Sequence, residues 1–281
     1  MMIYPLFPGG LERALTFSYD DALDEDLRLA GIFSDHGLKC TFNFCADNGP
    51  HDGSFPSFDV NEVYLKHGHE IAVHGAEHAF EDMMPAEAVI ADIMENRKRL
   101  EAITHAPVKG MAYPYGTYTS DLKRQLRELG ILYSRTVNST HSFRLPDDFL
   151  EWNPTAHHRE NIAELGERFL NNRYPRGTVC YIWGHSFEFS RNNDWDIIER
   201  FADQMAGRDS VWYATNMEIY DYNQAFRLLR FTADCCYVQN PSARTVWIMR
   251  GKNAFEIPSG RVALAVACDG EVTITVKSAW R

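Results

Sequence analysis

The sequence is short of positive charge and has no long apolar run. Its 281 residues include 28 Lys and Arg against 39 Asp and Glu, which gives a formal net charge of −11. An acidic surface repels the phosphate backbone of nucleic acids and anionic membrane surfaces, so we expect neither as a partner. No apolar run approaches the roughly 20 residues that a membrane-spanning helix needs. A hydrophobic fraction of 45% favours a globular protein with a large core.

Two further features are missing, an export signal and closely paired cysteines. The opening stretch, MMIYPLFPGGLERAL, lacks the basic region and the apolar segment that an export signal requires. None of the six cysteines forms a CxxC pair. We therefore expect reduced thiols and a cytoplasmic location.

Between residues 11 and 215 the pattern alternates between strand-like and helix-like segments. Repeated β-then-α units predict a parallel sheet, open or closed into a barrel. The region 138–174 is less regular and is predicted to form loops around a site. His157 and His158 could line that site, although a place on the solvated surface is the favoured interpretation. The predicted strands are 13–19, 38–45, 71–74, 108–113, 131–137, 178–183 and 210–214, and the predicted helices are 23–36, 195–206 and two that begin near 85 and 119.

The last ~55 residues change character, because helical spacing gives way to short β-rich runs between turn signals. One such turn signal is Asp269-Gly270. This pattern predicts a small antiparallel β appendage at 223–281, which follows an α/β domain at 1–222.

Three histidines lie within the stretch GHEIAVHGAEH, residues 68–78. A strand alternates its faces, so His69 and His74 point in opposite directions. His74 ends the predicted strand, where α/β proteins place their sites, and His78 lies on the same side if the chain turns helical there. His74 and His78 are therefore the candidate pair, and His69 is predicted to be structural. The HExxH protease pattern is absent, because Gly75 follows the first histidine of the pair.

Two adjacent carboxylates, Asp20 and Asp21, end the first predicted strand. Acidic residues are also favoured at helix N-termini, so a purely structural role is an open alternative. Because the two side chains diverge, one could bind a metal while the other faces a substrate. Two histidines and one carboxylate, with water in the open position, form a typical hydrolytic Zn²⁺ site.

Two more predicted strands end in residues that suit catalysis. Pro114 stiffens the loop after one strand, and the backbone N–H of Tyr115 could donate to a developing oxyanion. Another strand ends at Trp183, just before His185. The Trp183 ring could stack on a sugar. Each feature alone also suits an ordinary strand exit or core residue.

Taken in order, these motifs resemble those of the polysaccharide deacetylase superfamily, carbohydrate esterase family four, which includes nodulation-factor and chitin deacetylases. The resemblance covers roughly residues 10–215 and implies a distorted (β/α) barrel of about seven strands. The matching segments are Ser18-Tyr19-Asp20-Asp21-Ala22, His74-Gly75-Ala76-Glu77-His78, Pro114-Tyr115-Gly116 and the run that ends at His185.

The resemblance also implies a divalent metal held by Asp21, His74 and His78. Zn²⁺ is the expected ion, and such a ligand set could also take Fe²⁺, Co²⁺ or Ni²⁺.

The implied reaction is the removal of an N-acetyl group from an amino sugar or glycan, so an acetylated carbohydrate is the expected partner. Asp20 would be the general base, acting on water that the metal activates, and His185 the general acid. The backbone of Tyr115 would help to hold the oxyanion.

The sequence departs from the family pattern at three places. Ala22 replaces a glycine after the aspartate pair. Ala112 occupies the position where many members have an arginine that tethers the catalytic aspartate, and Lys109 or Arg135 could replace that tether. The fourth motif, which supplies an acidic partner for the catalytic histidine, has no clear match, and four residues are candidates: Asp147, Asp148, Glu151 and Glu188.

These departures leave other functions open. One is hydrolysis of another non-peptide C–N bond in a small amide substrate, such as a cyclic amide or a formamide. Another is a sugar-binding protein that keeps the metal and has lost catalysis. A non-haem Fe(II) oxygenase uses similar ligands, but its His-x-Asp…His order is absent.

Overall fold

A curled, all-parallel sheet forms the centre of the computed structural model, which describes residues 3–45 and 59–265. The chain begins with a short strand β1 (Ile3–Leu6), which lies outside this sheet. The seven strands of the sheet lie side by side in the order β6–β5–β4–β3–β2–β8–β7. They are β2 (Arg13–Asp20), β3 (Cys40–Phe44), β4 (Glu70–Val73), β5 (Gly110–Ala112), β6 (Tyr133–Arg135), β7 (Ala156–His157) and β8 (Thr178–His185). An eighth strand, β9 (Val211–Tyr213), pairs with the first half of β2. The predicted parallel α/β fold is confirmed.

The two edges of this sheet approach each other through the chain that precedes β7. Trp152 forms an isolated parallel bridge with Arg135 of β6. The Trp152 N–H donates to the Ser134 carbonyl at 3.0 Å, and the Thr136 N–H donates to the Trp152 carbonyl at 3.1 Å. The sheet therefore curls as a barrel does, and the carboxyl ends of its strands converge.

Helices cover the outside of the sheet. The Thr119 hydroxyl accepts from the Leu122 N–H at 3.1 Å, which caps the helix that the sequence predicts there. A helix in the region predicted as loops was missed, and so was a short one directly after β8. The helices are α1 (Glu25–Asp35), α2 (Val60–Val63), α3 (Ala86–Thr104), α4 (Ser120–Glu128), α5 (Ile162–Leu170), α6 (Phe187–Asn192), α7 (Asp196–Met205) and α8 (Asn216–Arg227).

Residues 228–265, together with β1, form two small antiparallel sheets after helix α8. One has the order β1–β12–β13 and the other β10–β11–β14, so the amino-terminal strand β1 pairs within the carboxyl-terminal part. These strands are β10 (Arg230–Phe231), β11 (Tyr237–Asn240), β12 (Val246–Arg250), β13 (Asn253–Ile257) and β14 (Gly260–Ala265). The antiparallel character is confirmed. The predicted boundary at residue 222 falls inside α8, and the predicted turn at Asp269-Gly270 lies outside the described residues.

Aromatic side chains fill the space between the sheet and its helices. Phe17 of β2 stacks on Phe33 of α1 with ring centroids 4.4 Å apart, and it meets Phe201 of α7 edge-on at 6.0 Å. Burying each such ring contributes about 1.5–3 kcal/mol. This packing gives the ends of the strands a rigid base. Within the described ranges, no helix is long and apolar enough to cross a membrane.

Candidate active site

The sheet register brings polar residues from several strands to one edge. Asp20, the last residue of β2, is level with Asn43 of β3 on one side and with His185 of β8 on the other. His74 directly follows β4. Because carboxyl ends of parallel strands form the functional edge of α/β folds, this edge is the candidate active site.

Asp21, His74 and His78 lie together at this edge. The Asp21 Oδ1 is 3.7 Å from the His74 Nε2 and 3.6 Å from the His78 Nε2. The His74 Nδ1–H donates to the Ala112 carbonyl at 2.9 Å, which leaves the Nε2 lone pair facing the cluster. Both the Asp21 Oδ1 and the His74 Nε2 are buried, and neither has a hydrogen-bond partner among the described residues. One carboxylate and two imidazoles with unsatisfied atoms fit a divalent cation.

The loop between the two histidines is a bend rather than the helical turn that the sequence suggested. Asp92 of α3 holds it, because its carboxylate accepts from the Ala76 N–H at 2.9 Å and the Glu77 N–H at 2.8 Å. A side chain at Gly75 would meet the Asp92 carboxylate at 2.8 Å, and the φ of Gly75 is +75°. This close approach explains the glycine and returns His78 to the site.

The turn after β2 is strained. Asp21 and Ala22 have φ angles of 86° and 59°, in the left-handed region that non-glycine residues rarely adopt. The residue after the aspartate pair therefore needs the conformation that glycine adopts most readily. Replacement of glycine by Ala22 accordingly brings backbone strain to this turn, in addition to a methyl group.

Asp20 is 2% exposed and is held at both carboxylate oxygens. Its Oδ1 accepts from the Asn43 Nδ2 at 2.8 Å, and its Oδ2 accepts a short hydrogen bond from the Arg135 Nη2. Burial acts to raise the pKa of Asp20, but the Arg135 guanidinium, followed by His74 and His185, outweighs it and lowers that pKa. Asp20 is therefore a charged carboxylate in a fixed orientation.

Arg135 holds the Asp20 carboxylate, although position 112, where many family members have an arginine, is an alanine. It lies on β6 directly opposite Ala112 of β5, so the guanidinium comes from the neighbouring strand at the same level of the sheet. Its guanidinium carbon also lies 4.3 Å from the centroid of the Trp183 ring. Lys109, the other candidate, precedes β5 at the opposite strand end.

Glu188 is the candidate partner that lies next to His185. The Glu188 Oε1 is 3.5 Å from the His185 Nδ1, and the His185 Nε2 is 3.9 Å from the Asp20 Oδ2. Burial acts to lower the pKa of His185, but Glu188, Asp20 and Asp21 outweigh it and raise that pKa. The other candidates lie elsewhere: Lys123 binds Asp148 and Glu151, and Asp147 is exposed.

The prediction that His157 and His158 lie on the solvated surface is wrong. His158 is fully buried, where it stacks on Tyr19 and Phe189 with centroids 5.6 Å and 4.2 Å away. Its Nε2 is 2.9 Å from the Glu188 Oε2, and the His157 Nε2 is 3.5 Å from the same oxygen. The two histidines belong to the two-residue strand β7 and the residue after it, which is too short to show a periodic pattern.

Tyr115 and Phe80 form a rim beside the cluster of Asp21, His74 and His78. Their rings stack at 3.7 Å with an interplanar angle of 7°, and the Tyr115 ring meets His78 at 4.5 Å. Both are exposed large side chains. Pro114 precedes Tyr115, whose φ of 55° turns the loop sharply. Trp183 is only 8% exposed, so its ring offers little surface for stacking.

Comparisons with known proteins bear on this arrangement. A family model described as polysaccharide deacetylase matches residues 10–134, which include the aspartate pair, both histidines of the cluster and the Pro-Tyr-Gly loop. The resemblance to the polysaccharide deacetylase superfamily is confirmed. No curated protein matches the chain.

Solved structures share the polysaccharide deacetylase fold with this chain. A Mycobacterium smegmatis protein assigned to the polysaccharide deacetylases is 18% identical, with a TM-score of 0.60 over 80% of this chain and 94% of its own. The Puue allantoinase is 15% identical, with a TM-score of 0.59 over 77% and 92%. A xylanase Xyl-CE4 domain from the hindgut metagenome of Trinervitermes trinervoides is 17% identical, with a TM-score of 0.50 over 76% and 91%.

Proposed function

We propose that this protein is a metal-dependent hydrolase that removes an N-acetyl group from an amino sugar or glycan. One observation carries the proposal: a metal-ligand cluster, a tethered aspartate and a supported histidine share one edge of a polysaccharide deacetylase fold. The carboxylates of Asp20 and Asp21 lie 3.6–3.9 Å from the Nε2 atoms of the cluster histidines and of His185.

Asp21, His74 and His78 would hold the cation, with Zn²⁺ as the expected ion. When bound, such a cation lowers the pKa of water toward about 7 and polarises a carbonyl. Two features of the chain support this role. The His74 Nδ1 donates to a backbone carbonyl, which fixes the tautomer, and the Asp21 Oδ1 accepts no hydrogen bond from the part of the chain that the structure describes.

Asp20 would act as the general base. Its Oδ2 is 3.7 Å from the His74 Nε2 and 3.9 Å from the His185 Nε2, so the carboxylate faces both the cluster and the proposed acid. Asn43 and Arg135 stop the carboxylate from rotating. A carboxylate that is already held in this orientation lowers the entropy cost of bringing base and water together.

His185 would deliver a proton to the departing nitrogen, since an amine is a poor leaving group unless it is protonated. Its Nδ1 faces Glu188, and its Nε2 faces the cluster edge. Glu188 thereby favours the cationic ring with its proton available on the side of the substrate.

The exposed Tyr115–Phe80 pair supports a sugar substrate, because aromatic faces stack on the apolar faces of pyranose rings. The Tyr115 backbone N–H is the proposed donor to the oxyanion that forms as the amide is attacked. Trp183 would contribute through its contact with Arg135 rather than through stacking on substrate.

Hydrolysis of a cyclic amide or a formamide is the second candidate. The observation that favours it is that Arg135 and Glu188 support the site from positions outside the family motifs. An allantoinase also has this fold. A substrate panel separates the two candidates.

The testing experiment measures acetate release from N- and O-acetylated mono- and oligosaccharides, beside hydrolysis of cyclic amides and formamides. The Zn²⁺-loaded protein is compared with a chelated sample. We expect chelator-sensitive acetate release from an N-acetylated sugar. Hydrolysis confined to cyclic amides or formamides would favour the second candidate. If the metal-bound protein hydrolyses no compound of the panel, both candidates are contradicted.

A further inference from the structure

A second group of metal-binding side chains lies behind the proposed acid. His157, His185 and Glu188 offer ligand atoms that all lie within 4.8 Å of one another. The three side chains are 18%, 23% and 14% exposed. This cluster is distinct from that of Asp21, since it lies on the Nδ1 side of the His185 ring.

We propose that His157, His185 and Glu188 form a second Zn²⁺ site, and that an ion bound there inhibits the enzyme by occupying the Nδ1 of His185. The binding claim stands on these residues alone, and the inhibition claim rests on the proposed function.

The distances from Glu188 to the two imidazoles are long for hydrogen bonds and are close to those between ligands of one zinc ion. The Glu188 carboxylate lies 3.5 Å from the His157 Nε2 through one oxygen and 3.5 Å from the His185 Nδ1 through the other. Ordinary hydrogen bonds of nitrogen to oxygen are shorter, at roughly 2.7–3.2 Å. Ligand atoms around a tetrahedral Zn²⁺ with bonds of about 2.0–2.1 Å are about 3.3–3.4 Å apart. Small side-chain adjustments would therefore complete the site.

His158 gives this cluster the outer support that metal ligands normally have. Its Nε2 is 2.9 Å from the Glu188 Oε2, and its ring is fixed between Tyr19 and Phe189. Such partners orient a ligating carboxylate and strengthen binding. Two imidazoles and one carboxylate fill three positions, which leaves a fourth for water.

Occupation of this site would remove His185 from proton transfer. The imidazole has two nitrogens, and the proposed acid needs Nδ1 protonated toward Glu188 while Nε2 gives and regains a proton. With Nδ1 bound to a cation, the ring retains its Nε2 proton strongly and can no longer form the imidazolium. Turnover would therefore fall as the second ion binds.

Zinc content after equilibration with excess Zn²⁺ and removal of unbound ion tests the site without any substrate. We expect two ions per wild-type chain, one in His78→Ala, one in His157→Asn and none in the double variant. The control is His105→Asn, which changes an exposed histidine in the left-handed conformation that Asn tolerates, and which should bind two ions. One ion in the wild type, or two in His157→Asn, would overturn the site.

Acetate release as a function of Zn²⁺ concentration tests the inhibition. We expect wild-type activity to rise with the first ion and fall at least tenfold with the second, and His157→Asn to rise without falling. Full turnover with both ions bound would overturn the inhibitory role. If no substrate is hydrolysed at any Zn²⁺ concentration, the proposed function and the inhibition fail together, while two bound ions would still support the site.

Discussion

Replacement of Arg135 by Met tests the tether of the proposed base. The Arg135 side chain is fully buried and pairs with Asp20, which is 2% exposed, so the variant leaves a buried carboxylate without its cation. Breaking a buried pair by removing one partner costs about 3–5 kcal/mol. The comparable surface variant is Arg127→Met, whose partner Asp148 lies 3.3 Å away, and it should cost about 1 kcal/mol or less.

The loss of stability in Arg135→Met should increase as the pH rises. In the wild type the pKa of Asp20 is lowered, so the pair stabilises the fold above the ordinary aspartate pKa of about 3.9 and this contribution is lost as pH falls through the lowered pKa. Without Arg135, burial pushes the pKa of Asp20 upward, so the variant is penalised increasingly as pH rises above about 4.

Urea unfolding of the metal-free protein between pH 4 and pH 8 measures this difference. We expect the gap in the free energy of unfolding between Arg135→Met and the wild type to widen toward neutral pH. Arg135→Lys should recover part of it, because the charge is kept while the contact with Trp183 is weakened. A gap below about 1 kcal/mol that does not change with pH would refute the tether.

Three other changes test the surroundings of the site. Glu188→Gln should lower kcat about 10–100-fold with little change in KM. Because Glu188 raises the pKa of His185, the variant should also move the basic limb of the kcat–pH profile to lower pH, and an unchanged profile would contradict this role. Phe80→Ala should raise KM for a sugar about 2–10-fold, since aromatic stacking contributes about 0.5–1.5 kcal/mol, whereas Tyr174→Ala at a distant exposed ring should not. Burial raises the pKa of Glu70 to about 7, so the free energy of unfolding of the wild type should decline from about pH 5 to 7. This decline should be smaller in Glu70→Gln, and an equal decline of both proteins in urea unfolding would contradict the prediction.

The sequence was most informative about residues at the carboxyl ends of the parallel strands. Asp20, Asp21 and His74 each follow an apolar strand, and parallel strands must end at one edge, so their proximity could be predicted. The structure brings the His78 ring to 4.8 Å from the His74 ring, although the loop between them bends around Asp92 rather than forming a helical turn.

The supporting residues could not be predicted in the same way. Arg135 reaches Asp20 across 115 positions of sequence, and only the pairing of β6 with β5 brings it level with Ala112. His158 was assigned to the surface because no periodic pattern marks the strand of two residues before it. The pairing of β1 with β12 is likewise a contact between the two ends of the chain, which no local pattern encodes.

The most direct test of the central claim is acetate release by Asp20→Asn with its Zn²⁺ content verified. Asn keeps the size of the side chain and removes the charge that accepts a proton, and Asp147→Asn at an exposed position is the matched control. We expect wild-type and control protein to release acetate from an N-acetylated sugar, and Asp20→Asn with its metal bound to be slower by about 10²–10⁴-fold. Equal rates in all three proteins would contradict the proposed mechanism.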